Sequence, residues 1–479
     1  MTLSVFDAAR AAPDREALVC DGVRLTFAAL ATRVAARLTA LLALGVEPLS
    51  EQPLALIVDG SLAMFEHLYA LLALGVPVLP LHPRLTAPER AALLTISAAS
   101  RLIDPAQNEP ARARSARIPQ IPQIPQIPAE RALALVPTSG TSGTPKLVVL
   151  SRRAFSALAR ADALRVPPVP TDRALLCLPL SHVGGLSVVI RSLIARRTCV
   201  AFRPPRGGLL HASAELRHTL EGERISLLSL VPPVLARLLG DSPSFGQDST
   251  LRAVLIGGQA CVPELFDEAR ARGIPALTSY GLSEMCSQVS TLGFPPPRRA
   301  VVRQGVVSSG LPLPGVEVRI RAGLIEVRGP SAFSGYVGAP SALDENGFFH
   351  TGDRGEFDPE LGLFVFGRQS EVVISGGENI DPTEVEHALL ACGGLEAACV
   401  YGIPDPIFGE CVVAALEPKA GVALDERALF SELGQRLASF KQPRRVCAFV
   451  ELPRLGSGKL DRQRIRSEAA TRLRAPTRA

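Results

Sequence analysis

A run of small polar residues in the first third of the chain has the composition of a phosphate-binding loop. Residues 138–144 are all Ser, Thr or Gly, and Lys146 follows Pro145. Such a loop brings backbone N–H groups, hydroxyls and an ammonium close to a polyanion. It is not the Walker pattern, because Pro145 precedes the lysine and no Ser or Thr follows it. A flexible linker would have the same composition, but the flanking apolar runs are typical of strands, which favours a rigid loop.

A second polar cluster follows another apolar run. Residues Tyr280, Gly281, Ser283 and Glu284 fall within five positions after the predicted strand that begins at Ala276. An aromatic face can stack on a purine, and a carboxylate can hold Mg²⁺ on phosphate oxygens. A Tyr-Gly turn is common in proteins, so this cluster indicates a nucleotide site only because the phosphate loop is present in the same chain.

Two further groups suit the sugar of a nucleotide. We expect Asp353 to lie in the turn His350–Asp353, and Arg368 to end a strand fifteen residues later. A carboxylate can accept two hydrogen bonds from a ribose diol, and an arginine adds donors. An exposed salt bridge on a surface turn is the alternative for an isolated pair of this kind.

Near the C-terminus, Lys459 follows Gly458 in the string Leu452–Asp461, which predicts a glycine-flanked loop. Such a loop can insert a mobile point charge into a cleft built by another domain.

Upstream, His182 is predicted to end an apolar strand before a Gly-Gly turn. Gly257 and Gly258, followed by Gln259, are predicted to follow a buried strand, where backbone can approach a flat ligand closely.

Composition limits the class of protein. The 479 residues are 47% apolar, enough for more than one core. The formal net charge of +5 is too balanced to indicate nucleic acid. The longest apolar stretch, Leu68–Leu81, is broken by Gly75, Pro77 and Pro80, which predicts a buried core and no membrane insertion. The N-terminus lacks a signal-peptide pattern, and nine cysteines without a C-x-x-C pair favour a reducing cytoplasm.

The elements alternate in the way that βαβ units do. Apolar helical patterns alternate with short strand-like runs over residues 1–130, among them Leu54–Val58 and Val76–Leu79, which predicts an α/β domain. The Ile-Pro-Gln repeat at 118–128 favours extended polyproline II and is interpreted as a loop expansion before the phosphate loop, with a docking motif as the alternative. Beyond Arg368, a strand, a glycine turn and a helix starting near Pro382 indicate a separate small α+β unit.

Taken in order, these motifs resemble those of the adenylate-forming superfamily, which includes acyl-CoA synthetases, luciferases and the adenylation domains of peptide synthetases. The resemblance implies a large multi-layer α/β adenylation domain, residues 1–368, and a small mobile α+β domain, residues 369–479, that carries the catalytic lysine. Ser370 occupies the family's hinge position, where Asp or Lys is usual, so this chain departs from the family's pattern at the hinge. ATP, Mg²⁺ and coenzyme A are the implied cofactors and co-substrates.

The resemblance also assigns roles residue by residue. It implies catalytic roles for Lys459, Glu284 and His182, with Glu284 also holding the metal. The residues expected to bind the nucleotide are Thr138, Ser139, Gly140, Thr141, Ser142, Gly143, Thr144, Lys146, Gly257, Gly258, Gln259, Ser279, Tyr280, Gly281, Ser283, Asp353 and Arg368.

Within the superfamily, the strings at 179–191, 278–288 and 374–380 look most like those of the o-succinylbenzoate–CoA ligases of menaquinone biosynthesis. That substrate is an aromatic dianion, and an arginine suits its non-reacting carboxylate. We expect Arg191 in this role, with Ser287 and Gln288 near the pocket; the alternative is that Arg191 caps a helix or pairs with a surface acid. A general aryl- or medium-chain acyl-CoA synthetase and a non-catalytic nucleotide- or acyl-binding relative stay open, as does a homodimer.

Overall fold

The structure is a computed structural model that describes residues 3–85, 87–107, 126–138, 146–205, 209, 212–246, 250–368, 373–375, 378–405, 409–437, 439–456 and 458–474. The helices within these residues are α1 (Val5–Ala11), α2 (Phe27–Ala43), α3 (Leu62–Leu74), α4 (Ala87–Ser97), α5 (Arg152–Arg165), α6 (Val183–Ala195), α7 (Ser213–Gly222), α8 (Pro232–Asp241), α9 (Pro263–Ala271), α10 (Pro382–Ala391), α11 (Glu426–Arg436) and α12 (Arg462–Arg474).

The strands in the same residues are β1 (Glu16–Cys20), β2 (Val23–Thr26), β3 (Leu54–Ile57), β4 (Val78–Leu81), β5 (Arg101–Ile103), β6 (Ala132–Thr138), β7 (Lys146–Ser151), β8 (Arg173–Leu176), β9 (Thr198–Ala201), β10 (Leu227–Leu230), β11 (Ala253–Ile256), β12 (Ala276–Tyr280), β13 (Ser290–Thr291), β14 (Val302–Arg303), β15 (Val306–Val307), β16 (Leu311–Pro312), β17 (Glu317–Arg321), β18 (Leu324–Arg328), β19 (Gly335–Tyr336), β20 (Phe349–Asp358), β21 (Gly362–Arg368), β22 (Val373–Ser375), β23 (Glu378–Ile380), β24 (Leu395–Asp405), β25 (Gly409–Pro418) and β26 (Arg445–Ala448).

Two large sheets form the frame of the N-terminal part. One has the order β16-β13-β12-β11-β10-β8-β9-β1-β2, and the other has the order β19-β7-β6-β4-β3-β5. Strands β8, β10, β11 and β12 run parallel, as do β3, β4 and β6. Ligands of such sheets bind beyond the carboxyl ends of the strands, so the residues that follow these strands are the first candidates for a site.

The apolar stretch Leu68–Leu81, which the sequence predicts to form part of the core, is buried. Helix α3 is buried over nearly its whole circumference, and strand β4 is fully buried. Ser61 caps the start of the helix by accepting a hydrogen bond from the N–H of Met64, and Gly75 ends it in the left-handed region at φ +68°. Among the described residues, no helix combines the length and apolarity that a bilayer crossing requires.

A smaller antiparallel sheet, β17-β18-β20-β21, lies at the end of the N-terminal part. It corrects one expectation, because His350–Asp353 lies within strand β20 and not in a turn. Gly352 at φ +71° accommodates a register shift in the pairing with β18, so the strand continues where a glycine suggested that it would stop. Asp353 consequently lies directly opposite Arg368 on β21.

The C-terminal part has its own sheet and its own apolar clusters. Strands β22–β26 pair with one another, and helix α10 starts at Pro382, as predicted, with Asp381 as its N-cap. One cluster packs between this sheet and α10 and α11, and a second packs on α12. The α/β fold class with a large N-terminal and a smaller C-terminal domain is therefore confirmed. Residues 369–372 lie outside the described residues, so the boundary at 368/369 stays a prediction.

Candidate active site

A cavity of about 340 Å³ opens in the N-terminal part between the small antiparallel sheet and the end of the six-stranded sheet. Its walls combine cations, a carboxylate and aromatic rings, a set that suits an anionic ligand with a flat ring. The lining residues are Lys146, Leu282, Glu284, Tyr336, Ala342, Phe349, His350, Thr351, Gly352 and Arg368. Three of the residues predicted from the sequence, Lys146, Glu284 and Arg368, thus share one cavity.

Next to this cavity, Tyr280, Asp353 and Arg368 form one hydrogen-bonded group. The Tyr280 hydroxyl donates to Oδ2 of Asp353 at 2.5 Å, and Nε of Arg368 lies 2.7 Å from Oδ1. Arg368 also donates to the carbonyl of Thr351 at 3.1 Å, and the Thr351 hydroxyl accepts from the N–H of Asp353. Burial, and then the charge of Asp353, raise the pKa of Tyr280 well above its usual range, so this hydroxyl stays a donor.

Glu284 is held by a residue that the sequence did not single out. The Tyr336 hydroxyl donates to Oε1 of Glu284 at 2.7 Å, while the Lys146 ammonium lies 5.1 Å from the centre of the Tyr336 ring. Tyr336 reaches this place because β19 pairs with β7, which places it opposite Val148. The ring contributes a cation–π contact and the hydroxyl orients a carboxylate that suits Mg²⁺.

The two ends of the predicted phosphate loop are in place. Thr138 ends β6 and Lys146 begins β7, and the two residues lie opposite each other in an antiparallel pair. Strands β6 and β7 are therefore antiparallel neighbours, and Lys146, at the start of β7, lines the cavity. The remaining predicted members, Ser139, Gly140, Thr141, Ser142, Gly143 and Thr144, lie outside the described residues.

Lys459 comes from the C-terminal domain and enters the cleft beside these groups. Arg454 and Leu460 form an antiparallel bridge, and the N–H of Leu455 donates to the carbonyl of Lys459 at 2.7 Å, which makes a tight turn. A methyl group on Gly258 would lie 3.1 Å from Cε of Lys459. Burial, and then the charge of Arg368, lower the pKa of Lys459, whereas Asp353 acts in the opposite direction. The predicted catalytic lysine and the predicted ribose pair therefore act on each other electrostatically.

The glycines at the strand ends allow close approach of backbone. The N–H of Gly257 donates to Leu230 at 3.1 Å, and Gly258 has φ +80°. A side chain on Gly281 would collide with the Ser287 carbonyl at 1.5 Å, so only glycine fits there. These contacts link the end of β11 to the end of β10, and the end of β12 to the turn that leads to β13.

Three predicted polar residues have less distinctive surroundings. The Ser279 hydroxyl donates to the Ser290 carbonyl at 2.9 Å, which is a bond within the sheet. Gln259 is partly exposed after Gly258, and Ser283 begins the short 3-10 turn that contains Glu284. The structure brings these residues to the same edge of the sheet without giving the side chains of Gln259 and Ser283 a hydrogen bond among the described residues.

His182 is the N-cap residue of α6, without a side-chain capping bond. The expected Gly-Gly turn is wrong: Gly184 and Gly185 lie in the first turn of this helix, where a side chain on Gly185 would meet the Pro179 carbonyl at 2.4 Å. His182 is exposed to solvent and lies near Lys459 and His82. Desolvation, and then Lys459 and His82, lower the pKa of His182 to about 4, so the ring is neutral at pH 7.

Arg191, Ser287 and Gln288 lie apart from the nucleotide-sized cavity. Arg191 is buried on α6, where Nη1 pairs with Oδ1 of Asp162 at 2.7 Å and lies 3.4 Å from Oε1 of Gln288. Asp162 and Arg191 line an interior cavity of about 20 Å³, the size of a single water. Ser287 has φ +108°, a rare conformation for serine. The alternative that Arg191 pairs with an acid is thus observed, but the acid is buried and not on the surface.

Known proteins share this arrangement. The family model for AMP-binding enzymes matches residues 5–337, and the model for the C-terminal domain of AMP-binding enzymes matches 384–459. A 2-succinylbenzoate–CoA ligase of Listeria monocytogenes is 32% identical over 470 residues, which cover 95% of this chain and 97% of that protein.

Solved structures agree. The o-succinylbenzoate CoA synthetase of Bacillus subtilis in complex with the acyl-adenylate intermediate OSB-AMP matches with a TM-score of 0.83 and 28% identity, over 96% of this chain and 97% of that one. The same enzyme with ATP and a magnesium ion matches with a TM-score of 0.82 and 29% identity, over 96% and 98%. These matches confirm the resemblance that the motifs predicted, and the chain belongs to the AMP-binding enzyme family.

Proposed function

We propose that this protein is an ATP-dependent, AMP-forming ligase that adenylates 2-succinylbenzoate and transfers the acyl group to coenzyme A, a reaction of menaquinone biosynthesis. The 2-succinylbenzoate–CoA ligase of Listeria monocytogenes and the o-succinylbenzoate CoA synthetase of Bacillus subtilis match nearly the full length of the chain. The observation that carries the proposal is the position of Lys459, a cation of one domain that lies against Gly258 of the other and is coupled to Asp353 and Arg368.

The residues at the cavity fit ATP with Mg²⁺. Carboxylate oxygens are the ligands that Mg²⁺ prefers, and Glu284 offers one at the cavity wall with Tyr336 fixing its orientation. The ion, when bound, would neutralise charge on the phosphate oxygens. Lys146 and the loop 139–144 would hold the departing phosphates, and Asp353 with Arg368 would hold the ribose.

In the first half-reaction, a carboxylate oxygen of the acid forms a bond to the α-phosphorus of ATP while the bond to the β-phosphate oxygen breaks. Pyrophosphate leaves, and no proton is transferred. The protein has to align the two anions and offset their repulsion. A lysine ammonium between carboxylate and phosphate does this, and that is the role proposed for Lys459.

In the second half-reaction, the sulfur of coenzyme A attacks the acyl carbon, the bond from that carbon to the AMP phosphate oxygen breaks, and AMP leaves as the thiol loses its proton. We place the thiol entrance where Lys459 lies, so residues 369–479 would rotate away between the two steps. The Arg354–Asp381 ion pair, at 3.1 Å, joins the two domains next to the proposed hinge and would have to open. Ser370, the proposed hinge residue, lies outside the described residues.

Lys459→Ala tests this division of labour. Adenylate formation, followed by ATP–pyrophosphate exchange, should fall by at least about a hundredfold, whereas thioester formation from supplied acyl adenylate should stay within about twofold. Lys419→Ala, an exposed lysine of the same domain, is the matched control and should change neither step. An equal loss in both half-reactions would show that Lys459 is structural.

For the acid, we propose that Arg191 stabilises the carboxylate that does not react, with Ser287 and Gln288 beside it and His182 at the acyl pocket. Support comes from the bond between Arg191 and Gln288 and from the rigid hold of Asp162 on the guanidinium. Arg191→Lys keeps the charge but loses the planar fork, so KM for 2-succinylbenzoate should rise about tenfold or more while KM for ATP stays unchanged. Arg160→Lys, on the exposed face of α5, is the control. An unchanged KM for the acid would contradict the assignment.

We also propose that the protein is located in the cytoplasm. Its proposed partners are small molecules and a second copy of itself in a homodimer. The nine cysteines are all free thiols, and most of them are buried, which is consistent with a reducing compartment. Sedimentation of the purified protein measures whether it dimerises, and fractionation of the native cells measures where it resides.

A further inference from the structure

The turn that carries Lys459 is surrounded by residues that follow three different strands of the N-terminal domain. Gly258 follows β11 and contacts Lys459 itself, and Val231 follows β10 and would lie 3.5 Å from a methyl group on Gly458. The third contact comes from the six-stranded sheet, where His82 directly follows β4. A side chain on Gly456 would meet Nε2 of His82 at 3.3 Å.

The ring of His82 is held in one orientation. Its Nδ1 accepts a hydrogen bond from the backbone N–H of Arg84 at 3.1 Å, so the proton of the neutral ring resides on Nε2. That nitrogen is the atom that faces Gly456. The Arg84 guanidinium borders the same place, because its Nη2 would lie 3.5 Å from a methyl group on Gly456.

We propose that His82 is a positioning residue that docks the Gly456–Lys459 turn and so places the Lys459 ammonium for adenylation. The glycine at position 456 is what allows the ring to occupy that space. His82 and the turn belong to different domains, so the contact exists only while the small domain holds Lys459 in the cleft. The inference rests on the proposed role of Lys459 and adds a group that acts through it.

The chemistry of the surroundings agrees with a neutral docking group. Lys459 and Arg84 already place two cations at this point, and a third would repel the incoming lysine. Burial, and then the charge of Arg84, lower the pKa of His82. His182 is also part of these surroundings, because, in addition to desolvation, the charges of Lys459 and His82 both lower its pKa.

The test is the pair of half-reactions measured on His82→Ala, His82→Gln and the control His218→Ala, an exposed histidine on α7. Loss of one neutral contact predicts that His82→Ala slows adenylate formation about tenfold. Thioester formation from supplied acyl adenylate and KM for ATP should stay within about twofold, because neither uses the docked turn. His82→Gln, which keeps an N–H donor, should recover part of the lost rate, and His218→Ala should change nothing.

A double-mutant cycle with Gly456→Ala tests the contact itself. A methyl group at 3.3 Å from Nε2 forces the ring to shift, so Gly456→Ala should slow adenylation in the wild-type background and cost clearly less in His82→Ala. Additive effects, or equal losses in both half-reactions, would overturn the proposal. Lys459→Ala, measured alongside, separates the proposed role of Lys459 from the proposed role of His82. If Lys459→Ala keeps its adenylation rate, the role of the lysine is wrong. If Lys459→Ala loses adenylation but the His82 variants do not, only the docking by His82 is wrong.

Discussion

Two arginine–aspartate pairs of the same length lie in very different surroundings. Arg368 and Asp353 are 2.7 Å apart; the aspartate side chain is only 8% exposed, but the arginine side chain is 52% exposed, so the pair is open to solvent on the arginine side. Arg191 and Asp162 are also 2.7 Å apart, but both side chains are only 8% exposed. An exposed guanidinium can exchange its partner at little cost, whereas a buried pair is expensive to break once it has formed.

The difference agrees with the proposed division between a nucleotide end and an acid end of the site. At the nucleotide end, Asp353 bonds to a movable arginine and a tyrosine hydroxyl, so an incoming ribose can take over donors and acceptors. At the acid end, Asp162 holds Arg191 in place before any ligand arrives. Rigid placement of a group that recognises a carboxylate favours discrimination among acids.

Removing the buried acid should have the largest effect. Asp162→Ala leaves Arg191 charged and unpaired in the interior, which should lower the free energy of unfolding by about 3–5 kcal/mol. Arg368→Ala should cost clearly less, about 1 kcal/mol, because the arginine is half exposed and Asp353 keeps its hydrogen bond from Tyr280. Urea unfolding of both variants measures the difference, and equal losses of stability would remove the distinction between the two pairs.

The exposed pair should matter for binding. Asp353→Asn removes the charge from the hydrogen bonds proposed for the ribose, each worth about 1.5–3 kcal/mol, so KM for ATP should rise about ten- to hundredfold. KM for the acid and the unfolding midpoint should change little. Steady-state kinetics with ATP and with the acid varied in turn measure this, and a loss of stability without a change in KM for ATP would assign Asp353 to the fold alone.

A smaller effect is expected at the neighbouring tyrosine. Tyr336→Phe keeps the ring beside Lys146 but removes the bond to Glu284; a bond to a carboxylate is worth about 1.5–3 kcal/mol, and because Tyr336 acts on the metal only by orienting Glu284, a part of this should reach Mg²⁺ binding. The Mg²⁺ concentration for half-maximal adenylation should therefore rise about two- to tenfold. Tyr336→Leu, which also removes the cation–π contact, should in addition weaken ATP binding. An unchanged Mg²⁺ titration in Tyr336→Phe would mean that Glu284 needs no orientation.

The smallest expected effect is a shift in the pH profile. Lys459 acts as a cation, so kcat/KM for adenylation should fall as the pH rises through its pKa, which burial and Arg368 have lowered. Arg368→Gln removes one of these causes and should move the alkaline limb to higher pH. Asp353→Asn removes a charge that raises the pKa and should move the limb to lower pH. Shifts in the opposite directions would contradict the coupling between the lysine and the exposed pair.

Local sequence patterns are enough to predict the site residues that directly follow or end a strand. Strand β12, which ends at Tyr280 before Gly281, and strand β11, which is followed by Gly257 and Gly258, could be predicted from runs of residues that end in glycine. The same reasoning predicts turns at His350–Asp353 and at Gly184, and both predictions are wrong, because sheet pairing and helix packing determine the conformation there. A glycine permits a turn but does not require one.

Groups joined by long-range contacts escaped prediction. Tyr336 meets Glu284 across 52 residues of chain, and Asp162 meets Arg191 across 29, with each partner on a different element. His82 was not singled out, because no local pattern links the end of β4 to a turn in another domain. Residue spacing cannot reveal such pairs, since it is the pairing of β19 with β7 and the packing of α5 on α6 that bring them together.

The most direct test of the proposed activity is ATP–pyrophosphate exchange by the purified protein with Mg²⁺ and 2-succinylbenzoate, benzoate or hexanoate as the acid. We predict exchange with 2-succinylbenzoate at a rate at least about tenfold above that with either monocarboxylate, because only the dicarboxylate engages Arg191. Equal rates with all three acids would identify a general acyl-CoA synthetase, and no exchange with any of them would contradict adenylation altogether.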